Sequence, residues 1–321
     1  MSFIIINLAP GGPVEQKIQQ LRFGNGGGGG ASYGGTRTTG VNEEVIEALR
    51  KQYGFDKPLL TRYWIWLRNI AHLDFGESFT YGEPTIDVIT SKFPVSLQFG
   101  IVSLILTYLV CIPLGVKKAL QAGESFDRLS GLLLYIAYSV PPLVLGIFLI
   151  VVFAGESYLS WFPIGGLYSD NYDSLSFFGQ ILDRIHHFVL PTICYLIGGF
   201  TELTLLTRNS MLDIIKADYI RTARAKGLSE KKVVYKHALR NALIPVATGL
   251  GGYLGVFLTG SLIVEKIFNL DGIGLLSYSS ILSRDYNVVM GLLFLSSMAL
   301  MVGNLISDFI YVLVDPRIDF K

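Results

Sequence analysis

The sequence predicts an all-α integral membrane protein, a polytopic helical bundle, on three observations. Hydrophobic residues make up 51% of the chain and charged residues only 16%, where soluble domains carry nearer a quarter charged; mean hydropathy is +0.48. Four runs long enough to cross a bilayer contain no charged residue. The segments joining them alternate in charge as the positive-inside rule requires.

A helix rising about 1.5 Å per residue needs ~20 apolar residues to cross ~30 Å of hydrocarbon. Val95–Val116, Leu129–Ala154, Asn241–Val264 and Tyr286–Ser307 meet that standard, the last extending to about Val314 across Asp308. His187–Thr207 qualifies with one acid, Glu202. These give five complete spans. Lys117, Lys118 and Arg128 lie between the first two, whereas 155–186 holds Arg184 against Glu156, Asp170, Asp173 and Asp183. Between Arg208 and Arg240 nine Lys/Arg stand against three acids, while 265–285 is close to balance, with two bases and three acids. The rule puts 117–128 and 208–240 in the cytoplasm and 155–186 outside, with the tail 315–321 cytoplasmic.

Ser2–Leu8 is apolar but too short to cross and lacks the basic flank of a signal peptide. Residues 1–10 read as the outer end of a first span whose beginning lies outside the sequence, closed by the turn Pro10-Gly-Gly-Pro13. The alternative is a five-span protein with its N-terminus outside. Residues 11–93 form a polar external segment with nine Lys/Arg and nine Asp/Glu. In it 24–40 is a glycine-rich linker, and 41–68 an amphipathic helix pair broken at Pro58 and capped at Asn42. The membrane domain is 94–314.

Catalytic chemistry is not legible. Gly24-Asn-Gly-Gly-Gly-Gly29 matches G-x-G-x-x-G only as part of a glycine run. No Gly-Lys dipeptide occurs anywhere, which excludes a Walker A phosphate loop; any ATP hydrolysis must come from a partner. His72, His186, His187 and His237 show no metal-ligand spacing, so a structural role is expected and no metal. Cys111 and Cys194 sit in apolar runs as small hydrophobes. No G-x-S-x-G is present.

Several positions are candidates for pathway or packing. Pro141 and Pro142 should kink their span, which is tolerated where protein or a cavity satisfies the freed carbonyls. Gly251 and Gly255 have G-x-x-x-G spacing, with Gly198 and Gly199 as further small residues. Glu202 and Asp308 are ionisable groups at depth, costly unless used. Glu202 lies within reach of Arg208, and Asp308 shares a face with Asn304, where a structural contact is expected.

The basic segment divides into two short helical pieces, with Gly227 at the junction and Ser229 capping the second. Thr222, Ala223 and Ala225 leave the first piece open to close approach, flanked by Arg221, Arg224 and Lys226. An ordinary positive-inside loop would account for the charge alone. Thr222-Ala-Arg-Ala-Lys-Gly227, Leu-Ser-Glu-Lys-Lys and His237-Ala-Leu-Arg-Asn-Ala-Leu-Ile-Pro245, however, resemble the coupling loop of type I ABC-importer permeases. The family's element is E-A-A-x-x-x-G; here Thr222, Ala223 and Gly227 match, and Arg221 stands at the glutamate position, as is typical of the oligopeptide and dipeptide branch. Ala9-Pro-Gly-Gly-Pro13, Tyr53-Gly-Phe-Asp-Lys-Pro58, Asp74-Phe-Gly-Glu-Ser78, Ile112-Pro-Leu-Gly115 and Asp315-Pro-Arg317 are similar to its B-type subunit. The glycine-rich external insert, Gly198-Gly-Phe200 and the tail resemble the Yej-type permease, linked to oligopeptides and the peptide antibiotic microcin C.

The resemblance covers essentially the whole chain. It implies a type I importer fold in the bacterial inner membrane, with six spans if the first is completed. It further implies a non-catalytic subunit docking through 221–227, a second permease subunit, two ATP-binding subunits that use ATP and magnesium, and a periplasmic or extracellular solute-binding protein delivering peptide. Lipid surrounds the chain, no cofactor binds it and no nucleic-acid partner is expected. The competing reading is an ion-coupled secondary carrier using Glu202 and Asp308, for which the internal repeat common in carriers is missing. A third, a non-transporting scaffold or receptor, is disfavoured by the proline-kinked spans and the coupling-loop string.

Overall fold

The computed structural model describes residues 3, 47, 57–155, 158–249 and 260–314. The capping residue Asn42, the linker 24–40, Gly251, Gly255 and the tail lie outside the described residues, as does nearly all of 1–10. The described residues contain no strand, only an isolated antiparallel bridge between Glu77 and Pro84. The chain divides into two compact units: 1–91 with 277–294, and 92–276 with 295–321.

In the first unit, α1 (Leu59–Ala71) starts directly after Pro58, whose fixed φ suits a helix entrance. The break expected at Pro58 is therefore a helix start, and the helix runs past Arg68. Residues 74–84 fold onto the polar groups that open the last helix. Asp285 is fully buried and accepts from Ser78 Oγ (2.5 Å) and Thr80 N (2.9 Å). Asn287 Nδ2 donates to Glu77 O at 2.7 Å.

In the second unit the long helices overrun the apolar runs. The helix carrying the first complete run, α2, is Thr85–Leu120, its first residues belonging to the first unit; that carrying 187–207, α5, is Phe177–Ile215. Hydropathy reads the hydrocarbon thickness, whereas a helix continues as long as its backbone bonds do. The kink expected at Pro141-Pro142 is a break. Helix α3 (Ser125–Ser139) ends before Val140, Pro142 opens α4 (Pro142–Leu149), and the two are bent by 95°. A π-turn, Ile150–Ala154, prolongs α4.

Beyond α5 come α6 (Asp218–Ala225), α7 (Glu230–Lys232), a π-turn Val233–Ala238, and α8 (Leu239–Ala242); residues 244–249 are again helical. Two helices occupy what reads in the sequence as the end of a span and a short loop: α9 (Leu262–Ile267) and α10 (Ile273–Leu282). The run expected to be continuous to Val264 is interrupted at Gly260, whose φ is +76°. Last is α11 (Tyr286–Val314). By length and apolarity α2, α5 and α11 can cross a membrane, and the α3–α4 pair makes a fourth if counted as one bent span.

The core of this unit stacks Phe99 of α2 on Phe188 (4.1 Å between centroids) and Tyr195 (6.0 Å) of α5. Gly115 lets α2 meet α5, since a Cβ there would fall 2.6 Å from Thr207 Cβ. Gly198, expected with Gly199 to aid packing, has open space before it; the close approach of α2 and α5 is at Gly115 and Thr207.

Candidate functional site

The basic segment folds as two helical pieces with one face committed to its own chain. In α6, Ile220 and Ala223 are buried one turn apart, against Val116 and Ala119 of α2, Met211 of α5, and Val233, Val234, Ala238 and Ala242. Asp218 in its first turn and Arg224 in its last suit the helix dipole. Arg221, Thr222, Arg224, Ala225, Lys226 and Gly227 are exposed.

Gly227 is the stop signal. Its φ is +75°, its N–H donates to Arg224 O at 2.9 Å, and Leu228 N–H reaches back to Ala223 O at 3.4 Å. This is the Schellman arrangement, with Leu228 packed on the buried cluster below. A Cβ on Gly227 would meet nothing within 4 Å, so the backbone angle demands glycine here. Ala223, expected to leave room for a partner, faces inward; the surface open to close approach is Thr222 and Ala225. Ser229 occupies the N-cap position without a side-chain capping bond.

Across the joint, Arg224 grips Glu230 with Nη2–Oε1 2.6 Å and Nε–Oε2 3.1 Å. Each holds the other in its charged form: the guanidinium lowers the Glu230 pKa below the usual carboxylate range and the carboxylate raises that of Arg224. Arg221 meets Asp218 only at 3.4 Å with both side chains solvated.

The candidates at depth have other surroundings than expected. Arg208 does not pair with Glu202; its fork closes on Asp127, 81 residues earlier, through Nε–Oδ1 2.8 Å and Nη2–Oδ2 2.6 Å. Lys118, expected in the cytoplasmic segment between the first two spans, is 1% exposed and joins the same carboxylate at 3.1 Å. Between His187 and Asn209 the exposed residues of α5 are Gly198, Glu202 and Asn209, which fall on one helical face. The structural contact expected of Asp308 is made by its neighbour: Ser307 Oγ donates to Ala247 O (2.9 Å) and Thr248 O (2.7 Å), while Asp308 and Asn304 are exposed. Pro141 and Pro142 lie exposed at the α3–α4 break.

A further cluster escaped the sequence reading. Glu265 is fully buried, with Oε1 accepting from Ser96 Oγ (2.7 Å) and Tyr195 Oη (3.3 Å) and Oε2 from Leu275 N (2.8 Å). Gly260, Gly272 and Gly274 press on it so closely that a Cβ on any of them would collide. The partners are up to 169 residues apart, and only the glycine density around 272–274 hints at the contact. His187 has a structural setting, with Ser169 Oγ at 3.2 Å and Gly166 O at 3.2 Å. Among the described residues no group of three or more His, Cys, Asp or Glu could hold a metal.

The basic joint thus carries a short, capped, one-sided helix on a multi-pass helical chain. The family model described as "binding-protein-dependent transport system inner membrane component" matches residues 111–320, and the chain belongs to that family. Its peptidoglycan transport system permease YejB from Agrobacterium fabrum is 46% identical over all of this chain and 93% of the relative. The inner membrane ABC transporter permease YejB of Escherichia coli O157:H7 is 41% identical over all of this chain and 94% of that one. The oligopeptide transport system permease AppB of Bacillus subtilis shares 37% over all of this chain and 93% of its own. The fold is that of a chain in the inward-facing MetNI methionine ABC transporter, with TM-score 0.51, 17% identity, and 70% of this chain and 96% of that one covered.

The chain is thus a non-catalytic, inner-membrane permease subunit of an ABC transporter with a type I importer fold. The ion-coupled carrier reading falls with this membership.

Proposed function

We propose that the chain forms half of a peptide-import pathway and is driven through the exposed face of α6. The observation that carries this is the construction of α6: one face bolted to α2 and α5, the other offering Arg221, Thr222, Ala225 and Lys226. A helix built so passes force from a partner into the bundle. Two ATP-binding subunits that use ATP and magnesium, a second permease subunit and a solute-binding protein complete the assembly. Relatives named for peptidoglycan, oligopeptide and glutathione transport support a substrate of short amide-linked chains; microcin C is of the same chemistry.

In this reading there are five complete spans plus the end of another, 11–93 is external, and 208–240 and the C-terminus face the cytoplasm. Closure of the ATP-bound motor draws the coupling segments together and opens the pathway outward; hydrolysis restores the inward-facing state. On α5, Gly198, Glu202 and Asn209 line the pathway, since a carboxylate facing lipid costs at least ~2.5 kcal/mol. The test places Thr222→Trp in the transporter reconstituted with its partners. Peptide-stimulated ATP hydrolysis should fall about tenfold, equivalent to ~1.4 kcal/mol of docking, while insertion is unchanged. Undiminished stimulation removes α6 from the motor interface.

A further inference from the structure

Three charged side chains on three helices meet just ahead of α6. Asp127 stands in the first turn of α3, 7% exposed; Lys118 lies near the end of α2, 1% exposed; Arg208 is on α5, ten positions before Asp218. All three Lys118 Nζ donors and both Asp127 carboxylate oxygens are used. Lys118 Nζ donates to Asp127 O (2.7 Å) and Ser130 Oγ (2.8 Å) and pairs with Asp127 Oδ1 at 3.1 Å. Oδ1 also accepts from Arg208 Nε, and Oδ2 accepts from Arg208 Nη2 and from Gly123 N at 3.1 Å.

Lys118 and Asp127 therefore have nothing left over for a ligand or a transported proton. Nor is stability an adequate account of the cluster. A buried ion pair repays its desolvation poorly, and an apolar replacement of similar volume is often as stable. What a bidentate arginine–carboxylate fork supplies is geometry: it fixes distance and rotation between the helices that carry it. Sliding α3 along α5 requires breaking two charge-assisted bonds at once.

The position of the cluster gives that rigidity a use. Val116 and Ala119, flanking Lys118 on α2, are the residues against which Ile220 and Ala223 of α6 pack. Apolar contact ties α6 to α2, and the ions tie α2 and α5 to α3. Helix α3 leads from there to the 95° break at Val140 and Pro141.

We propose that Asp127, held by Lys118 and Arg208, is a positioning residue for transport coupling. It makes the inner ends of α2, α3 and α5 one body with α6, so that a displacement of α6 is delivered to α3 and the bent span instead of being lost as slip between helices. This rests on the reading of α6 as the motor-docking helix.

The test uses the complete transporter in vesicles, with three quantities read: ATP-binding subunits co-purified, ATP hydrolysed, and peptide taken up. Arg208→Lys keeps the charge and removes the fork. Asp127→Asn removes the central charge. Thr201→Val is the control, deleting a hydrogen bond between α5 and α3, Thr201 Oγ1 to Leu134 O at 3.0 Å, outside the cluster. The expected result for Arg208→Lys is wild-type co-purification and continued hydrolysis, with uptake per ATP reduced at least about fivefold; Asp127→Asn shifts the same ratio further. Thr201→Val keeps the wild-type ratio.

If uptake per ATP is unchanged in Arg208→Lys, or falls equally in Thr201→Val, the proposal is overturned. Should Asp127→Asn fail to assemble, the Arg208→Lys ratio decides. Failure of the underlying reading looks different: the wild-type chain would bring no ATP-binding subunit with it.

Discussion

Gly227 and Gly260 have nearly the same backbone angle, φ +75° and +76°, yet substitution should act differently at each. Gly227 has open space around it, so Gly227→Ala meets only the left-handed penalty, ~1 kcal/mol. Its effect should be a frayed α6, read as faster amide exchange at 224–228 with the fold retained. At Gly260 a Cβ would lie 2.8 Å from Ser96 Oγ and also strike the Glu265 carboxylate. Gly260→Ala should therefore break the hydrogen bonds that tie Ser96 and Tyr195 to Glu265, and a drop in the thermal unfolding midpoint several times larger than that of Gly227→Ala is expected. Equal drops would show that the Glu265 cluster is not under this constraint. The exposed Arg224–Glu230 pair follows ordinary linkage. Because the Glu230 pKa is depressed, its contribution is present at neutral pH and fades as pH falls through the folded value. Exposure and salt keep it small.

At the scale of elements, apolar runs locate the membrane-crossing parts of α2, α5 and α11 because the bilayer imposes one length on every crossing helix. They are silent on the overhangs: Thr85 to Pro94 and Phe177 to His186 extend α2 and α5 with polar or mixed residues that no hydrocarbon criterion selects. Helices α9 and α10 are invisible for a different reason. They are held by Glu265, Ser96 and Tyr195, distant in sequence, so no local period announces them. Pro141-Pro142 announces a disturbance but not its angle. Replacing both with alanine permits a continuous helix. With spin labels on the exposed Leu132 and Phe148, the 95° bend corresponds to backbone positions roughly 16 Å apart, and a straight helix to roughly 24 Å. Lengthening accompanied by loss of uptake is expected; an unchanged distance would mean that tertiary contacts, and not the prolines, impose the bend.

For the whole molecule, class was legible because it rests on strings and on composition, whereas the buried clusters rest on long-range geometry. The short helix α6 was legible in the sequence, but its inward face was not: Ala223 reads like Ala225 until the chain folds. Lys118 and Arg128 count alike toward topology, yet one is sealed in an ion cluster and the other is exposed. The same distinction bears on Glu202. A carboxylate on an exposed face of α5, in a membrane subunit, must find water or a second subunit. Glu202→Gln should change uptake of peptides with a free amino terminus more than uptake of N-acetylated ones if it lines the pathway. Equal effects on both, together with loss of the second permease on purification, would place it in the subunit interface.

The ion cluster also has an order of birth. Lys118 and Asp127 are made nine residues apart and leave the ribosome together, so the turn joining α2 to α3 can form with one cation already in place. Arg208 is synthesised 81 residues later, after the bent span and the segment following it. Until it arrives, Asp127 has two acceptor positions unfilled at an unfinished helix interface. The arrival of α5 therefore completes a half-made contact between α2 and α3.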